Sequence, residues 1–164
     1  MKRSVLSIVV LTFLAATSAF AGTASTVNTN NITASVAAKC TIGAFSIAFG
    51  VYDPFAAAPL DQPGTVTINC TKGTSGTVSF DNGLSFAAGA RRMKDTGAGT
   101  NFLTYEVYTD AAHTIVWNAV NTVVLGPSVS KNTALTATAY GRVPNGQDAA
   151  VMSYQDTLVA TVTF

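Results

Sequence analysis

Gly64-Thr65-Val66-Thr67-Ile68-Asn69-Cys70-Thr71 decides the fold. Val66, Ile68 and Cys70 alternate with Thr65, Thr67 and Asn69, so the apolar residues and the cysteine share one face of an extended chain. Working outward, the same two-residue period recurs in Phe45, Ile47 and Phe49, in Val78 and Phe80, and in Leu103, Tyr105 and Val107. It returns in Leu135, Ala137 and Ala139, and in Leu158, Ala160, Val162 and Phe164. Asp53-Pro54, Gln62-Pro63-Gly64, Asp81-Asn82-Gly83, Gly126-Pro127 and Pro144-Asn145-Gly146 supply turn chemistry between these runs. Short strands with such punctuation about every ten to fifteen residues describe an all-β antiparallel sandwich. The β-branched residue threonine, suited to exposed strand positions, agrees with this.

The N-terminus has a different character. Met1, Lys2 and Arg3 precede an uncharged run through residues 5–16, and Ala19-Phe20-Ala21 stands before Gly22. This is the pattern of a secretory signal peptide over residues 1–21, its apolar run shorter than the ~20 residues that span a bilayer as a helix. Cleavage after Ala21 leaves 143 residues, enough for one domain. Without Lys2 and Arg3, the formal charge of +1 becomes −1. No basic patch for nucleic acid follows. Charged residues are only 10% of the chain, a composition that suits a surface meeting other protein.

Cys40 and Cys70 are the only cysteines, and an even pair in an exported chain is expected to form a disulfide. One histidine, His113, and no C-x-x-C motif leave no basis for a metal or haem site, and no cofactor is expected. No catalytic residue is assigned either. His113 reads as part of a polar turn, and no G-x-S-x-G elbow accompanies the serines. Asp53, Asp110 and Asp156 fall at turns or strand ends, where Asp bonds its own backbone. Arg91-Arg92-Met93-Lys94 reads as a solvated loop, and Trp117, Tyr105, Tyr108 and Tyr140 as core aromatics. The glycine-containing stretches 73–76 and 97–100 lack phosphate-loop spacing and read as hairpin loops.

Two segments stand out. Residues 157–164 form a last apolar strand with no later segment to pair beside it. Residues 26–39, TVNTNNITASVAAK, place Ile32, Ala34, Val36 and Ala38 at every second position, with no Gly or Pro and no charge before Lys39. Such a segment either folds onto its own domain as an edge strand or leaves to complete a neighbour's sheet by β-augmentation. A soluble edge strand is expected to carry Lys, Pro or a bulge against association, which this one lacks.

The chain resembles the spore coat U domain family, which includes the major pilin of archaic, Csu-type chaperone-usher pili. The resemblance runs through Cys40, residues 49–54 (FGVYDP), residues 64–71, Leu84 to Arg92-Met93, residues 103–110 (LTYEVYTD), Val116-Trp117, residues 140–147 (YGRVPNGQ) and Tyr154-Gln155-Asp156-Thr157. Met152-Ser153 and Asn118 depart from it where glycine is usual. The resemblance implies an incomplete immunoglobulin-like sandwich over residues 40–164, with residues 22–39 as an N-terminal extension carrying the donor strand. A periplasmic chaperone would lend the missing strand and an outer-membrane usher would exchange it for the extension of another pilin subunit. Ile32, Ala34, Val36 and Ala38 would then be the inserted side chains, and Leu158, Ala160, Val162 and Phe164 the acceptor edge. The implied role is a structural subunit of a cell-surface fimbrium serving adhesion and biofilm formation. A secreted coat or surface-binding protein that does not polymerise is the alternative.

Overall fold

A computed structural model describes residues 31–164 of a chain that divides into two units, Met1–Ser35 and Val36–Phe164. The signal segment and the first part of the extension, residues 22–30, lie outside the described residues. Of the first unit, residues 31–35 are described and belong to no strand.

In the second unit every regular element is a β-strand: β1 (Cys40–Ile42), β2 (Leu60–Cys70), β3 (Gly76–Phe80), β4 (Arg91–Asp95), β5 (Phe102–Tyr108), β6 (Val123–Leu125), β7 (Leu135–Val143), β8 (Tyr154–Gln155) and β9 (Ala160–Thr163). They form two antiparallel sheets, ordered β1-β2-β7-β5-β4-β8 and β6-β3-β9. The period-two reading of β2, β3 and β5 holds: Val66, Ile68, Val78 and Val107 are completely buried, and Cys70, Phe80, Leu103 and Tyr105 nearly so. Each such aliphatic side chain contributes about 1.5–3 kcal/mol by leaving water. Trp117 is buried between the sheets, 4.8 Å from the Phe80 ring, and its indole N–H donates to the Val78 carbonyl. The Cys40–Cys70 disulfide joins two residues that are also direct partners across β1 and β2.

Residues 44–52 behave differently. Phe45, Ile47 and Phe49 turn inward as their alternation requires, yet among the described residues the segment forms no backbone-to-backbone hydrogen bond. It crosses the inner face of β2 and β7 at Gly64 and Gly141. A Cβ on Gly64 would lie 2.7 Å from Ile47 and 2.8 Å from Phe45, and one on Gly141 2.8 Å from Phe49. Glycine here makes room for a crossing segment of the same chain rather than for a turn.

Other expectations need correcting. Arg91-Arg92-Met93-Lys94 is strand β4, not a solvated loop. Arg91 is 1% exposed, donates to the Asp81 and Trp117 carbonyls and pairs with Glu106, so its charge is buried with partners on every side. His113 sits in a turn, at φ 55°, but its ring packs edge-on against Tyr108 and Tyr140 and faces Asp61 at 3.7 Å. Tyr108 and Tyr140 are half-buried and are not core residues.

The β4–β5 loop closes around one carboxylate. Asp95 accepts hydrogen bonds from the N–H groups of Gly97, Gly99 and Asn101 and from the Asn101 side chain, and these donors hold its pKa at about 2. A folded-state pKa below the unfolded value stabilises the fold above the unfolded pKa and ceases to do so as pH falls through about 2. Acid titration of folding should therefore show stability declining from about pH 4 to pH 2. Asp95→Asn, which keeps one acceptor oxygen and no charge, should lower stability at neutral pH and flatten that decline. An unaltered acid limb in this variant would show that Asp95 does not carry it.

Candidate functional site

An open apolar cleft runs between residues 45–52 on one side and residues 150–158 on the other. It consists of two adjoining cavities of about 660 and 360 Å³ that share Ile47, Phe49, Met93 and Tyr154. Its floor is core: Met93, Leu103, Tyr105, Val107 and Val143. Beyond the cleft, the last strand continues as β9, the edge of its sheet, and β8 is the edge of the other.

Among the described residues, both walls present unpaired main chain: residues 44–52 have no ladder partner there, and β8 and β9 pair on one side only, with β4 and β3. A compact apolar molecule could fill such cavities but would leave two rows of N–H and C=O groups dehydrated and unpaired, at a cost of about 1–3 kcal/mol for each group. An extended peptide satisfies both rows while its alternate side chains enter the cavities. The cleft is thus shaped for a strand.

One polar pair interrupts the apolar surface. Asp156 accepts a 2.8 Å hydrogen bond from the Tyr105 hydroxyl and a 3.1 Å bond from the Leu84 N–H. Burial, with the adjacent Asp156 carboxylate, pushes the Tyr105 phenol well above its ordinary value, so it stays a donor. Asp81 ties the same stretch of the last strand, accepting from Gly83 and Val159 N–H through one oxygen. These carboxylates supplement the one main-chain bond left there, from the Asp81 N–H to the Val159 carbonyl, where residues 156–159 lose regular strand geometry. The wall opposite is pinned at its outer end by the Tyr52 hydroxyl, which donates to the Pro144 carbonyl and accepts from the Gln147 N–H.

The residues singled out from sequence fall as follows. Leu158, Ala160 and Val162 point into the core beside the cleft and β3, whereas Phe164 is 55% exposed. Val36 and Ala38 are exposed and belong to no strand, as do Ile32 and Ala34 in the other unit. Asp53 caps its own turn through the Phe55 N–H, and Asp110 caps the turn at Thr114 and Ile115. Asp156 instead serves the cleft, so these three carboxylates are engaged with separate partners. Among the described residues no group of three or more metal-ligating side chains gathers. The floor residue Met93 and the wall segment 45–52 were not singled out as site residues. The signals for that wall were the Phe45, Ile47, Phe49 alternation and the family resemblance over residues 49–54.

Known proteins resemble this chain in sequence and fold. The chain is 31% identical to Protein U of Myxococcus xanthus over 178 aligned residues, covering 99% of this chain and 98% of the relative. It also superposes on a chain of the CsuC-CsuE chaperone-tip adhesion subunit pre-assembly complex from archaic chaperone-usher Csu pili of Acinetobacter baumannii. There the TM-score is 0.55 at 26% identity, over 79% of this chain and 40% of that one. The incomplete-sandwich fold is therefore immunoglobulin-like, as the sequence resemblance implied. With residues 26–161 matching its model, the chain belongs to the Spore Coat Protein U domain family.

Proposed function

We propose that this protein is a structural subunit of a surface pilus, assembled by the chaperone-usher route through donor-strand exchange and supporting adhesion and biofilm formation. The observation that carries this reading is the cleft, whose two walls of unpaired main chain and apolar floor call for an added strand. The donor is the N-terminal extension of a neighbouring copy, with Ile32, Ala34, Val36 and Ala38 inserted. In the periplasm a chaperone strand fills the cleft first, and an outer-membrane usher hosts the exchange. The likeness to a subunit held in a chaperone complex supports the chaperone step. The working location is the fimbrium at the cell surface.

The test is electrophoresis, without boiling, of material sheared from cells that also express the chaperone and usher. The full mature chain should give a ladder of detergent-resistant multimers that collapses on boiling, and a chain lacking residues 22–38 should give none. Soluble monomer from both chains would instead identify a self-contained coat protein.

A further inference from the structure

Strand directions give the domain two unlike poles. β2 ends at Cys70 beside Cys40, and β7 begins at Leu135 opposite Ile68, so residues 37–39 and the loops 71–75 and 126–134 collect at one pole. Main-chain bonds of 2.8 Å from Thr71 to Lys39 and from Gly73 to Ser128 hold them together. This pole carries Lys39, Lys72 and Lys131, all exposed and, among the described residues, none paired with a carboxylate; no acidic residue lies in those segments.

The opposite pole holds the start of β2, the end of β7 and the outer mouth of the cleft. There Val51, Phe55 and Val151 are 92, 95 and 102% exposed, and Met152 44%. Asp53 and Asp148 stand exposed beside them with no cationic partner among the described residues. Of the neighbouring charges, Asp95 is consumed by its own loop, and Lys94 lies along Gly99. Four exposed apolar side chains at the mouth of an apolar cleft, flanked by free carboxylates, make a contiguous contact surface rather than scattered exposure.

We propose that the lysine pole of one copy docks on the apolar, acidic pole of the next, a contact between domain bodies that adds to the inserted strand. This rests on the donor-strand reading. Only Lys39 separates Ala38, the last of the inserted side chains, from Cys40, which the disulfide and β1 fix to its own domain. The donor's body must therefore lie against whichever end of the cleft its strand leaves. A donor parallel to the last strand leaves at the Phe164 end, and an antiparallel donor leaves between Val51 and Val151. The apolar rim and both carboxylates are at the second end, so the donor runs antiparallel and brings Lys39, Lys72 and Lys131 of its own body onto Asp53 and Asp148 of the acceptor. Complementary rim charges set register and encounter rate, and a contact between two different poles propagates head to tail.

Carbodiimide, which joins amines to carboxylates in direct contact, tests this on purified multimers. Peptide mapping should find Lys39, Lys72 or Lys131 linked to Asp53 or Asp148 in multimers and not in monomer. Lys72→Glu with Lys131→Glu should slow multimer growth about tenfold at low salt, and adding Asp53→Lys with Asp148→Lys should restore most of it. Multimers that form at the normal rate and lack these links would overturn the docking while leaving donor-strand exchange intact. A wild-type chain that forms no multimers would remove both.

Discussion

A chain carrying Val36→Asp or Ile32→Asp is expected to be exported, to form the Cys40–Cys70 disulfide, and to yield no boiling-sensitive multimers. Both side chains are exposed, at 84 and 99%, so aspartate there removes no packing from the isolated domain. Insertion changes that account. The floor residues Met93, Leu103, Val107 and Val143 offer a carboxylate no donor, and the Tyr105 hydroxyl beside them already donates to Asp156, itself an acid. Burying the charge, or protonating it to avoid doing so, together with the loss of the apolar side chain, should weaken the strand by about 4 kcal/mol or more, roughly a thousandfold in affinity. Alternation supplies the control. Thr33→Asp and Ser35→Asp put the same charge on the face that points away from the cleft and should polymerise nearly normally. If all four variants polymerise, the donor is a different segment. If Thr33→Asp and Ser35→Asp fail as completely as the others, loss reflects charge on the extension and not its inserted face.

Much of the fold was legible because alternation reports burial directly. Val66, Ile68 and Cys70, then Leu103, Tyr105 and Val107, face the core as their spacing required. What alternation cannot report is pairing. Phe45, Ile47 and Phe49 have the pattern of a strand and partly bury their side chains, yet among the described residues the segment 44–52 pairs with no strand of either sheet. The open cleft, the most informative feature of the site, is therefore invisible in the period-two pattern, which is the same with or without a partner. Buried polar groups were illegible for a related reason. Arg91 is satisfied by the carbonyls of Asp81 and Trp117 and by Glu106, partners 10, 26 and 15 residues away that only the folded topology assembles. Tyr108 could have been read better: it follows Val107 by one residue and so must face away from the core that Tyr105 and Val107 share. The last strand, read as one run through residues 157–164, loses regular strand geometry over 156–159, where Asp156 and Asp81 accept main-chain N–H groups.

The second large effect is expected from Cys40→Ala with Cys70→Ala. The bond closes a loop with a sequence separation of 30, and the chain-entropy model assigns such a loop about 3.5 kcal/mol, a large part of the ~5–15 kcal/mol of a whole domain. Position adds to that figure. The segment that walls the cleft is held at its outer end by Tyr52 and along its length by packing at Gly64 and Gly141. At its inner end it is held by the three residues of β1 and the disulfide. Without the bond, β1 alone must anchor a wall that has no ladder of its own, in a domain whose floor is still open. Urea unfolding of the subunit should show the midpoint falling by about 1–3 M, given slopes of about 1–3 kcal/mol per molar. Reduction of the native protein should reproduce the shift. Multimers already formed should lose less, because an inserted donor pairs the wall from the other side and supplies what β1 cannot. Equal losses in monomer and multimer would show that the disulfide acts on the unfolded chain alone, and an unchanged midpoint would show that β1 holds the wall without it.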